Sequence, residues 1–99
     1  MKTIARTLGA ATLAAGLLFG GAAAANAETV KVGGGTWDYG VDKLFTMSTW
    51  SNYHHPSRAH GSTACSSSTC KRSATAPASK WSKAKVRSTW SGNQAYWRL

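Results

Sequence analysis

The sequence predicts an all-β domain, a small antiparallel β-sandwich or barrel behind a secretory leader. Three observations carry that prediction. Beyond the first thirty residues long aliphatics are few, while Trp, Tyr, Ser, Thr and Gly abound, a composition that favours strands and turns over helices. Turn signals recur at short intervals: Gly33–Gly35, His55–Ser57, Cys65–Cys70, Ala76–Ser79 and Ser91–Asn93. Between them lie runs of strand length with apolar and polar residues alternating, and no convincing 3.6-residue apolar stripe extends beyond ten residues.

The leader comes first. Lys2 and Arg6 form a short positive start, Thr7 to Ala25 carries no charge, and Ala25-Asn26-Ala27 supplies the small-residue exit that signal peptidase reads. The apolar run is soft, rich in Ala and Gly rather than Leu and Ile, so a cleaved signal is favoured over a membrane anchor. Cleavage is expected after Ala27, giving a leader of residues 1–27 and a mature domain of residues 28–99 bound for the extracellular space.

That mature domain has ten basic residues against three acids, a net charge of +7. Its acids, Glu28, Asp38 and Asp42, all fall at its start, so every charged residue after Asp42 is basic. Such asymmetry suits an anionic partner such as a cell-wall polymer, a phospholipid, a pyrophosphate lipid or a nucleic acid; the plain alternative is solubility through self-repulsion.

The strands can be justified in order. In "TWDYGV" Trp37, Tyr39 and Val41 share one face. In "FTMSTWSNYH" Phe45, Met47 and Tyr53 are expected on one face and Trp50, Asn52 and His54 on the other. Cys65 and Cys70 bracket four small polar residues and are the only cysteines. In an exported chain they are expected to form a disulfide, worth about 2 kcal/mol at best for so short a loop, rather than a zinc site with nearby histidines. In "KWSKAKVRS" the small face is Ser82, Ala84, Val86 and Ser88, opposite Trp81, Lys83, Lys85 and Arg87. The closing "AYWRL" groups Ala95, Trp97 and Leu99. Trp37 and Trp97 read as core residues, whereas Trp90 is expected near the open end of the sheet. Aromatics supply much of the core, since each buries roughly 150–250 Å².

The chemistry that these residues permit is binding rather than catalysis. Glycosidic hydrolysis needs two carboxylates flanking a bond, and a serine triad needs a histidine oriented by an acid; neither constellation is visible. No enzyme, metal or cofactor is therefore expected. His54, His55 and His60 lie close in sequence, but adjacent strand residues point to opposite faces, which separates His54 from His55. Lys83, Lys85 and Arg87 alternate, so a strand spaces their charges about 7 Å apart with Trp81 on the same side. A cation row beside an aromatic suits an anionic amphiphile or a phosphate backbone; its alternative is a charged guard on an edge strand. The candidate ligand-binding residues are thus Trp50, Asn52, His54, Trp81, Lys83, Lys85 and Arg87.

Taken in order, "GGTWDYG", "SNYHHPSRAHGS" and "KWSKA" behind a signal peptide resemble the lactococcin 972 family of secreted bacteriocins. The matched positions are Gly35, Thr36, Trp37, Tyr39, Gly40, Ser51, Asn52, Tyr53, His54, His55, Ser57, His60, Trp81 and Ala84. The resemblance implies a sandwich of two three-stranded sheets. It also implies inhibition of septum formation in related Gram-positive bacteria through the cell-wall precursor lipid II rather than through pores. The Cys65–Cys70 pair is not part of that pattern. The expected partner is accordingly lipid II at the target-cell surface, without stable membrane insertion, and a homodimer is left open. The alternative is a non-toxic secreted basic module for anionic wall polymer or extracellular nucleic acid. A pore-forming peptide is disfavoured because no amphipathic helix is evident.

Overall fold

The computed structural model describes residues 17–19 and 25–99, with side chains from residue 26 onward. Eight strands are present among these residues: β1 (Leu17–Phe19), β2 (Ala25–Val32), β3 (Gly35–Asp42), β4 (Ser48–His54), β5 (Gly61–Cys65), β6 (Cys70–Arg72), β7 (Trp81–Arg87) and β8 (Asn93–Arg98). They form two four-stranded sheets, β2-β3-β4-β7 and β1-β8-β5-β6, in which every neighbouring pair is antiparallel. The all-β sandwich is as the alternation predicts, and each sheet has four strands where the family resemblance implied three. β1 and the first three residues of β2 fall within the expected leader, whose remainder lies outside the described residues.

Local chemistry explains the hairpins. Gly33 and Gly34 both adopt positive φ, 64° and 84°, between the paired residues Val32 and Gly35. A two-residue turn with both central φ values positive matches the twist of the flanking strands, and glycine reaches that region without strain. The β5–β6 hairpin is closed by the Cys65–Cys70 disulfide, which joins directly opposed residues. Within its turn the Ser66 hydroxyl accepts from the Ser68 and Thr69 amides.

One connection departs from the sequence reading. Phe45 and Met47 were expected on a strand face with Tyr53, but β4 begins only at Ser48 and residues 43–47 form a loop. The Asp42 carboxylate accepts the amides of Leu44, Phe45 and Thr46 at 3.0 Å each, together with the Thr46 hydroxyl at 3.1 Å. Those bonds wrap the backbone around the side chain, and Met47 then turns through φ 51°. The alternation of "FTMS" is overridden by a local acceptor. Phe45 is left 84 % exposed.

The aromatic half of the interior comprises Trp37, Tyr39, Val41, Tyr53, Ala95 and Trp97. Trp37 stacks on Tyr39 at 3.9 Å and Tyr53 on Trp97 at 5.1 Å. Burial pushes the Tyr53 phenol up to about 12, and its hydroxyl donates to the Val32 carbonyl. Leu99, expected beside Trp97, is exposed beyond the end of β8, and Trp90 is exposed as well.

The other half of the interior is built from small side chains. Ala64, Ala84 and Val86 form a minor apolar cluster. Around it, hydroxyls join the two sheets: Ser51 on β4 donates to the Tyr96 carbonyl of β8, and Ser82 on β7 meets Ser62 on β5 at 2.6 Å. The Trp37 indole N–H donates to Ser51, whereas the buried Trp97 indole nitrogen has no hydrogen-bond partner among the described residues.

Candidate functional site

The outward side of the β2-β3-β4-β7 sheet is where the candidate residues meet. Antiparallel register fixes which side chains share a face, because directly opposed residues point the same way. His54 lies opposite Trp81, Asn52 opposite Lys83, Trp50 opposite Lys85, and Ser48 opposite Arg87. The two residue sets that the sequence offered separately are therefore one surface. Trp50, Asn52 and His54 form its inner column, and Trp81, Lys83, Lys85 and Arg87 its edge column. Strand β7 alternates exposed and buried residues throughout its length.

Contacts hold parts of this surface in place. The His54 and Trp81 rings lie 5.3 Å apart at 50°. Asn52 donates to Asp38 at 3.3 Å, and Thr29 donates to the other oxygen of the same carboxylate. Trp50 lies across β3 at Gly40: a Cβ added there would collide with the Trp50 ring. That close approach explains why glycine suits the centre of β3. Trp50, Asn52, Lys83 and Lys85 flank a groove of about 280 Å³. A larger one, about 570 Å³, lies towards the Gly33–Gly34 turn between Lys31, Thr36, His54 and Pro56.

Electrostatically, the edge column presents three cations in succession. The carboxylate of Asp38 faces the same side but is engaged by Thr29 and Asn52. Arg87 directs one guanidinium nitrogen to the Met47 sulfur at 3.6 Å. An anion arriving over β7 meets Lys83 and Lys85 as charged donors, with indole rings on either side. Such an arrangement can bind a phosphate or pyrophosphate group and stack against a sugar or prenyl chain.

The histidines separate as strand geometry predicts. His54 faces outward and is partly exposed, whereas His55 and His60 are buried. His55 Nδ1 accepts the amides of Ser57 and Arg58 at 3.1 and 3.0 Å, which shapes the turn after Pro56. Desolvation pulls the His55 imidazole below its ordinary value, against an opposing hydrogen bond to the Gly33 backbone. His60 bridges Ala76 in the long connection before β7. Its two ring nitrogens face the carbonyl oxygens of Arg58 and Lys80 at 2.7 and 2.6 Å. Its ring meets Tyr53 edge-on at 5.6 Å. Among the described residues no three His, Cys, Asp or Glu side chains gather to hold a metal.

The motif positions divide between two jobs. Trp37, Tyr39, Ser51, Tyr53, His55, His60 and Ala84 are buried and build the interior, while Thr36, Asn52, His54 and Trp81 stand on the outward face. Gly35 closes the first turn, Gly40 seats Trp50, and Ser57 belongs to the turn shaped by His55. Sequence reasoning missed Lys31, Thr36 and Asp38 as members of the face. The signal for Lys31 and Thr36 was alternation against Val30, Val32 and Trp37.

The family model described as bacteriocin (lactococcin 972) matches residues 33–97, from the first turn to the penultimate residue of β8. No curated protein and no solved structure matches the chain.

Proposed function

The chain belongs to the lactococcin 972 family of bacteriocins, and we propose that it acts outside the producing cell by binding lipid II on the target-cell surface. The observation that carries this reading is the β4–β7 register, which sets Trp50, Asn52 and His54 beside Lys85, Lys83 and Trp81. The cations engage the precursor's pyrophosphate, and the aromatic and amide groups engage its sugars. Sequestered precursor is unavailable for septal wall synthesis, so binding alone accounts for inhibition and no catalytic step is required. Export proceeds with cleavage after Ala27; Glu28–Val32 then remain paired with β3.

The test is a binding titration with purified lipid II beside a growth assay on related Gram-positive strains. Reversing the edge charges (Lys83→Glu, Lys85→Glu and Arg87→Glu together) is expected to weaken binding about 100-fold or more, since each charge-assisted hydrogen bond contributes about 1.5–3 kcal/mol. Added lipid II should protect sensitive cells. If the secreted protein neither binds the precursor nor inhibits any related strain, the proposal fails.

The uniform basicity after Asp42 favours one second reading, a non-toxic module that binds wall polymer or nucleic acid by charge. It predicts affinity that falls steeply with salt and shows no preference for the precursor.

A further inference from the structure

The end of the sandwich that carries the β3–β4 loop displays apolar side chains on a backbone built to hold them out. Leu44 is 58 % and Phe45 84 % exposed at the loop tip, and Trp90 in the β7–β8 connection is 65 % exposed. The two connections are neighbours: Lys43 Nζ sits 4.6 Å over the Trp90 ring, and the Ser88 amide donates to the Met47 carbonyl at 2.8 Å. The tip is not a slack segment. Asp42 binds three successive loop amides and the Thr46 hydroxyl, and those bonds hold its carboxyl at about 2. The turn therefore fixes Leu44 and Phe45 outward although burying them would be favourable.

We propose that this tip is a peripheral membrane anchor, in which Leu44, Phe45 and Trp90 enter the interface of an anionic bilayer. Charge selects the occupant. Asp42 is the last acid in the chain, and its carboxylate is engaged within the loop. Lys43 is buried against Trp90, so Arg87, which reaches Met47 beside the tip, is the cation that an approaching headgroup meets. Apolar and indole side chains on a domain of net charge +7 suit the headgroup boundary of an anionic leaflet, where Trp partitions and each nearby Lys or Arg adds attraction. No helix among the described residues is long and apolar enough to cross a membrane, and the anchor needs none. It stands apart from the precursor-binding reading: its apolar residues lie outside the outward face of β4 and β7, with Arg87 the one residue used by both, and it requires only lipid.

The experiment is sedimentation of the secreted protein with vesicles of phosphatidylglycerol and phosphatidylcholine containing no cell-wall precursor, beside vesicles of phosphatidylcholine alone. Binding is expected to favour the anionic vesicles. The Leu44→Ser, Phe45→Ser double variant should bind them about tenfold more weakly or worse, and Phe45→Leu should stay near wild type. Equal binding by the double variant overturns the anchor, as does binding that appears only when lipid II is added. The latter result would leave the precursor reading standing. Self-association abolished by the double variant, with no vesicle binding by wild type, would assign the tip to a second copy of the chain and also overturn the anchor. Precursor-independent binding through the tip, with no affinity for lipid II, would sustain the anchor and sink the proposed function.

Discussion

The two faces of β7 follow opposite rules. Inward, Ser82, Ala84 and Val86 are nearly sealed from solvent and are chosen for size; outward, Trp81, Lys83, Lys85 and Arg87 are exposed and differ from their neighbours in charge and ring area. The inward face tolerates no added volume, because it lies against Ala64 and the Ser62–Ser82 hydroxyl contact. The outward side chains of β7 stand exposed among the described residues, so they contribute little to folding. The difference separates two readouts: the interior side is measured in stability, and the exterior side in affinity.

The largest effect should come from the interior. Trp37→Ala removes the stack on Tyr39 and the indole donor to Ser51, and is expected to cost about 3–5 kcal/mol. In a domain this small, chemical denaturation should show much of the variant unfolded in buffer. Less drastic is a matched pair on the two sides of β7. Ala84→Leu overfills the interior and should lower stability by about 1–3 kcal/mol, whereas Lys83→Leu should stay within about 0.5 kcal/mol of wild type. Equal losses at the two positions would abolish the distinction.

The smallest effect uses His54 and His55, neighbours in sequence that lie on opposite sides of the sheet. The folded-state value of His55 lies below the ordinary 6.5, with desolvation the chief cause. As pH falls through 6.5 the unfolded chain therefore takes up its proton first, so stability present above that pH declines on acidification. Protonating Nδ1 also breaks its bonds to the Ser57 and Arg58 amides. Urea midpoints should fall between pH 7.5 and 5.5 in wild type, and His55→Gln should flatten the slope.

Much of this was legible in the sequence. The alternation of "KWSKAKVRS" assigned both faces of β7, and Trp37 and Trp97 were identified as interior residues from their apolar companions. Phe45 and Met47 were misplaced because period-two alternation does not reveal that Asp42 will capture the next three amides. The candidate residues of β4 and β7 came from separate readings of separate strands. Their union depends on which strands pair and in what register, a tertiary outcome that no single segment encodes. Asp38 was likewise invisible as a partner of Asn52, since the two meet only across the β3–β4 pair.

Among the described residues β7 lies at the border of its sheet, with β4 as its one paired neighbour. A border strand carries unpaired amides and carbonyls that invite a second chain, and lysines and arginines are what ordinarily keep such borders apart. Here the repelling charges are the same ones assigned to the ligand. On the proposed reading, a polyanionic target that neutralised Lys83, Lys85 and Arg87 would weaken the repulsion between copies, making dispersal in free solution and crowding on a target surface two settings of one electrostatic balance.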